Sequence, residues 1–120
     1  MIGRSIFLAL WISLVLSGVA HAHAFIDHAD PVAGGKVQKS PNEVRIWFTE
    51  EIEPAFSSIK VLNGSGKQID KGDTRADPAN RALLHLSLPP LKAGTYKVVW
   101  RVVSVDTHVT KGDFTFQVVR

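Results

Sequence analysis

Apolar and polar residues alternate along most of this chain with a period of two, and that alternation fixes the fold class. Val44, Ile46 and Phe48 alternate with Arg45, Trp47 and Thr49; Leu84, Leu86 and Leu88 with His85 and Ser87; Phe114, Phe116 and Val118 with Thr115 and Gln117. Successive side chains of a strand point to opposite faces, so each run has one face for a core and one for solvent. The stretch 96–105 sets Tyr96, Val98, Trp100 and Val102 against Lys97, Val99, Arg101 and Val103. Shorter candidates are residues 24–27, Ser58–Leu62 and 67–70, which makes about seven strands. Turn signals separate them: Asp30-Pro31 through Gly34-Gly35, Ser40-Pro41-Asn42, Asn63-Gly64-Ser65-Gly66, Asp77-Pro78, Pro89-Pro90 and Lys111-Gly112-Asp113. No long segment has a 3.6-residue period. The pattern predicts an all-β chain, a single Greek-key β-sandwich or barrel of immunoglobulin-like or cupredoxin-like type.

The first 22 residues read differently. Arg4 supplies a positive start, residues 6–16 an apolar stretch, and residues 17–22 a small-residue end with alanine at −3 and −1 of a cut after Ala22. The apolar stretch is shorter than the roughly 18 residues of a spanning helix. A cleaved secretory leader over 1–22 and one exported domain over 23–120 are expected, with cuts after Ala20 or Ala24 as alternatives. The chain has no cysteine, so the domain depends on its apolar core, and thiolate metal chemistry is excluded. With Arg4 in the leader, thirteen basic residues face eleven acidic ones, a net charge of +2. That balance argues against a nucleic-acid partner, and membrane contact is expected only through the leader before cleavage.

No nucleophile motif, phosphate-cradling glycine loop or His-Glu helix motif occurs, which argues against a hydrolase or transferase. The residues with chemical potential are histidines and carboxylates. Cleavage after Ala22 makes His23 the first residue, and an N-terminal histidine chelates a divalent ion through its α-amine and imidazole Nδ1. Asp106-Thr107-His108 offers a carboxylate and a second imidazole two residues apart, on one side of an extended chain. Together these donors suit tetragonal Cu(II). Spacing alone leaves the other reading of Asp106 and His108 open, a turn with a solvated imidazole. Glu50-Glu51 reads as a solvated charge pair, His28 as a surface residue, and His85 as a solvent-facing or hydrogen-bonded structural histidine. Trp47 and Trp100 belong to the core or the sheet surface.

The segments His23-Ala24-Phe25, Asp30-Pro31-Val32-Ala33-Gly34, Val44 to Glu50, Gly94 to His108 and Gly112-Asp113-Phe114-Thr115-Phe116 resemble, in that order, the periplasmic copper-binding CopC family. The resemblance spans the mature chain. It implies a β-sandwich that binds one Cu(II) at its end, through the amine and imidazole of His23, the carboxylate of Asp106 and the imidazole of His108, with Glu50 as an outer-shell acid. It also implies a periplasmic carrier or buffer in copper resistance or homeostasis that exchanges copper with an inner-membrane transporter of the CopD type, and not an enzyme. Some family members add a Cu(I) site in a methionine-rich loop, but the only methionine here is Met1. The family commonly has glycine then proline where this chain has Thr107 and Val109. Two other readings stand beside the carrier: a histidine-brace copper enzyme that activates oxygen, and an exported sandwich that mediates protein contacts without metal.

Overall fold

The computed structural model describes residues 25–120. Eight strands form two four-stranded sheets. They are β1 (Ile26–Asp30), β2 (Lys36–Val37), β3 (Glu43–Phe48), β4 (Ser58–Leu62), β5 (Arg75–Asp77), β6 (Asn80–Ser87), β7 (Gly94–Val103) and β8 (Val109–Val118). The first sheet has the order β1-β3-β6-β5 and the second β2-β8-β7-β4. All pairs are antiparallel except β2 with β8. Helical structure among the described residues is one 3-10 turn at Pro54–Phe56.

The period-two rows pack as their spacing requires. Val44, Ile46 and Phe48 of β3 and Leu84 and Leu86 of β6 face Tyr96, Val98, Trp100 and Val102 of β7 and Phe116 and Val118 of β8, all buried. Phe48 meets the Trp100 ring edge-on, with centroids 5.5 Å apart, a favoured aromatic geometry. Between the sheets, Ile52 closes one end of the sandwich. Its N–H donates to the Arg81 carbonyl on the first sheet, and it bridges to Ser104 beyond β7 on the second.

Several local expectations change. Residues 67–70 form no strand: the Asn63–Gly66 turn brings the chain back along β4, and Ile69 N–H reaches the Val61 carbonyl. The Asp70 side chain then takes the Val61 N–H and also caps Gly72, which ends the ladder. Two short strands, β2 and β5, appear instead. Strand β1 runs to Asp30, later than the expected 24–27, while β7 stops at Val103 and β6 at Ser87. Lys111-Gly112-Asp113 is not a turn but the middle of β8, with Gly112 opposite Trp100. A Cβ on Gly112 would lie 2.6 Å from Trp100 Cζ2, so glycine is there to admit the indole.

Candidate metal centre

The β7–β8 hairpin turn, residues 104–108, carries the Asp-Thr-His segment. Its anchor is Ser104, which continues the inward row of β7 by one more step and is fully buried. The Ser104 N–H donates to the His108 carbonyl at 2.9 Å, and the Ser104 carbonyl accepts from the Thr107 N–H at 2.9 Å. The Ser104 hydroxyl donates to Asp106 Oδ1 and accepts from the His108 N–H at 3.3 Å. A polar side chain at a core position is costly unless its hydrogen bonds are made, and here they fold the turn.

Asp106 and His108 do come together, with Nδ1 of the imidazole 3.2 Å from Oδ2 of the carboxylate. The route is not the extended one the spacing suggested. Thr107 has φ of 72°, the left-handed region that disfavours a β-branched residue. The turn therefore has a glycine-like backbone at Thr107. The Ser104 hydroxyl, and next the neighbouring His108, hold the Asp106 carboxyl below the ordinary carboxylate range. Asp106 thus remains an anionic donor in mildly acid solution. Both side chains are partly open to solvent, Asp106 by 48% and His108 by 40%.

Glu50 and the start of the described chain lie at this same end. The Glu51 carbonyl accepts from the Val105 N–H at 3.0 Å, and the Glu53 N–H donates to the Val103 carbonyl at 2.8 Å. The segment after β3 is thereby zipped onto the base of the hairpin turn. Next to Glu50, Thr49 holds Phe25 by two hydrogen bonds: Thr49 N–H to the Phe25 carbonyl at 2.8 Å and Phe25 N–H to Thr49 Oγ1 at 2.9 Å. Glu50 Oε2 is buried and, among the described residues, accepts no hydrogen bond. His23 lies outside the described residues, as does the leader expected over residues 1–22, but it precedes Phe25 by only two residues, at most about 7 Å of chain. Among the described residues, no group of three or more histidine or carboxylate side chains is placed to hold a metal ion. Asp106 and His108 form a two-donor pair.

The other two described histidines, His28 and His85, lie on the first sheet. His85 is a hydrogen-bonded structural histidine, as expected, with Nδ1 2.5 Å from Glu43 Oε1 and Nε2 2.8 Å from Asp77 Oδ1. It ties β3 to β5 across β6 and holds the Asp77 carboxyl below its usual range. His28 is exposed, stacked on Trp47 with centroids 4.1 Å apart and 2.8 Å from Asp27. Ser104, which orders the turn of the candidate site, was missed by sequence reasoning, although its signal was present: it shares the parity of Tyr96, Val98, Trp100 and Val102.

The fold and this end of it define a class, a small two-sheet β-sandwich with a carboxylate–imidazole pair at the tip of its longest hairpin. The CopC domain model matches residues 26–119, and the chain belongs to the CopC family. It is 34% identical over 112 residues to protein YobA of Escherichia coli K12, spanning 92% of this chain and 90% of that protein. Copper resistance protein C of Pseudomonas syringae pv. tomato is 31% identical over 127 residues, 98% of each chain. Copper transport protein CutJ of Bacillus subtilis is 31% identical over 114 residues, which are 90% of this chain but 21% of that protein. The crystal structure of CopC from Methylosinus trichosporium OB3b superposes with a TM-score of 0.76 at 36% identity, over 80% of this chain and 93% of that one.

Proposed function

We propose that the chain, once exported and cut after Ala22, is a periplasmic Cu(II) carrier that binds one ion as cargo. The α-amine and imidazole of His23, the Asp106 carboxylate and the His108 imidazole are its ligands. The observation that carries this reading is the pinning of Phe25 to Thr49 at the end of the sandwich where Glu51 is zipped to Val105. A residue two positions before Phe25 is at most about 7 Å of chain from that anchor, which supports His23 as a ligand beside Asp106 and His108. The buried Oε2 of Glu50, without a hydrogen-bond partner among the described residues, fits an acceptor for an N–H of a ligand amine or imidazole, the usual role of an outer-shell carboxylate. Two nitrogens from His23, one from His108 and an oxygen from Asp106 match the tetragonal preference of Cu(II).

An anionic oxygen filling the copper plane favours storage and transfer over oxygen activation, and supports a carrier in place of a catalyst. The names of the relatives, copper resistance protein C and copper transport protein CutJ, support a role in copper handling. In CutJ the matching region is about a fifth of a longer chain. That supports an inner-membrane transporter of the CopD type as the partner that gives or receives the ion. Native mass measurement of the exported protein, with and without Cu(II), tests the reading. A chain starting at His23 that gains one copper is expected; a chain starting elsewhere, or one that gains no copper, would overturn it.

A further inference from the structure

The small net charge of this chain hides a segregation that composition cannot reveal. The four strands of the second sheet contain five cations, Lys36, Lys60, Lys97, Arg101 and Lys111, and one acid, Asp113. All five cations lie on the outer face. Their alternate neighbours Val37, Ile59, Val61, Val98, Trp100 and Val102 point inward, and the register sets Arg101 beside Lys111 and Lys60 beside Val99. The rest of residues 23–120 carries eight cations against ten acids. On the first sheet the cations are paired, Arg45 with Asp30, Arg75 with Asp73, and Arg81 with Glu51 and Glu53. Among the described residues, none of the five on the second sheet has an ion pair.

We propose that the outer face of the second sheet is a docking surface for an anionic phospholipid bilayer. This goes beyond the expectation of membrane contact only through the leader before cleavage. Lys97 and Arg101 are four residues apart on β7, about 13 Å, and the four strands span about 14 Å across. The patch is thus broad and sheet-like. Four of its five cations are lysines, a residue depleted in protein–protein interfaces, where aromatic residues and arginine are enriched. The exposed large apolar side chains Phe25, Val32, Phe56 and Val105 lie off these strands, and Val109 sits only at the end of β8, so the face has no central anchor for a protein partner. Unpinned point charges instead suit a fluid array of phosphates, toward which each basic residue adds about fivefold in partitioning. Lys60, Arg101 and Lys111 also line one open groove of about 540 Å³ with Ser58 and the carboxylate of Asp113, three cations against one acid, so the groove remains positive toward a headgroup phosphate. Docked on this face, the sandwich lies flat, with the Asp106–His108 turn at its rim.

Cosedimentation of the mature protein with vesicles tests the assignment. Binding to vesicles containing phosphatidylglycerol, absent with pure phosphatidylcholine and lost at high salt, is expected. Lys60→Glu with Lys97→Glu should weaken it by roughly 25-fold or more, while Lys39→Glu with Lys71→Glu, the same change in net charge outside the four strands, should leave it within about twofold. Equal losses in the two variants would reduce the effect to overall charge and overturn the proposal, as would wild-type binding indifferent to phosphatidylglycerol or to salt. Binding of polyglutamate through this face without binding of the vesicles would assign it to an acidic protein instead. The lipid and salt dependence of the wild type needs no variant to fold.

Discussion

Replacing Gly112 with alanine tests the packing that puts a glycine in the middle of β8. The new Cβ would lie 2.6 Å from Cζ2, 3.0 Å from Cε2 and 3.3 Å from Nε1 of Trp100, where carbon atoms prefer roughly 3.5–4.0 Å. The indole is rigid and buried, and it backs onto Phe48, so a retreat of about 1 Å must be passed into the core. Overpacking of this kind costs about 1–3 kcal/mol. Alanine recovers about 0.5–1 kcal/mol of the backbone entropy that glycine loses on folding, which leaves a net loss of about 0–2.5 kcal/mol, centred near 1. For a domain of this size the central value lowers Tm by roughly 5–10 °C. Urea and thermal unfolding read the change directly. Gly64→Ala is the control, since a Cβ there meets nothing within 4 Å; it should be neutral or slightly stabilising. Combining Gly112→Ala with Trp100→Phe should cost less than the sum of the two single changes, because the smaller ring vacates the contested space. A Gly112→Ala protein as stable as Gly64→Ala, or strict additivity with Trp100→Phe, would refute the packing argument.

The site yields sharper contrasts. Asp106→Ala and His108→Ala should each weaken Cu(II) binding in a competition assay while circular dichroism stays unchanged, whereas His85→Ala and His28→Ala should leave the affinity as it was; a greater loss from His85→Ala than from His108→Ala would reassign the site. Ser104→Ala removes the hydroxyl that orients Asp106 and should lower Cu(II) affinity on the order of 10- to 100-fold without removing a ligand. The same change should raise the Asp106 carboxyl toward the ordinary value of about 3.9, read by carbon NMR of the apo protein. The sign follows from linkage: a carboxyl lowered by folding adds stability above its unfolded value and loses it as pH falls through the folded one. The Ser104→Ala protein should therefore lose less of its stability on acidification below about pH 4, and unchanged acid sensitivity would contradict the hydrogen-bond assignment.

What sequence could and could not disclose follows from the range of each interaction. The inward rows of β3, β6, β7 and β8 are legible because strand parity is a local property and every second residue is apolar. Strands β2 and β5 are not, since two or three residues carry no periodicity and become strand only through β8 and β6. Residues 67–70 have the alternation of a strand, but Asp70 supplies a side-chain acceptor where the ladder needs a carbonyl. Gly112 looks like a turn residue because the indole that requires it is twelve positions away. At the candidate site the spacing of Asp106 and His108 correctly signals proximity, even though Thr107 achieves it through a left-handed turn. The partners of His85 could not be read off, for Glu43 is 42 residues distant. The nearness of Glu50 to the hairpin turn likewise depends on the pairing of Glu51 with Val105, a tertiary hydrogen bond with no local signature.

The central claim is that the first residue of the mature chain is a copper ligand through its own amine, and one added residue isolates it. A glycine placed before His23 converts the amine into an amide and leaves the imidazole, Asp106, His108 and the sandwich as they are. The amine must lose its proton to bind, and a free α-amine has a pKa of about 7.7–8.0, so the affinity of the unextended protein for Cu(II) should climb as pH rises toward that range. The decisive measurement is Cu(II) affinity with its EPR spectrum, for the chain starting at His23 and for the same chain with the extra glycine. The account predicts a tetragonal spectrum without intense blue colour for the first, and for the second a loss of affinity by orders of magnitude with an altered spectrum and unchanged circular dichroism. Equal affinity and the same spectrum in the extended chain would contradict it.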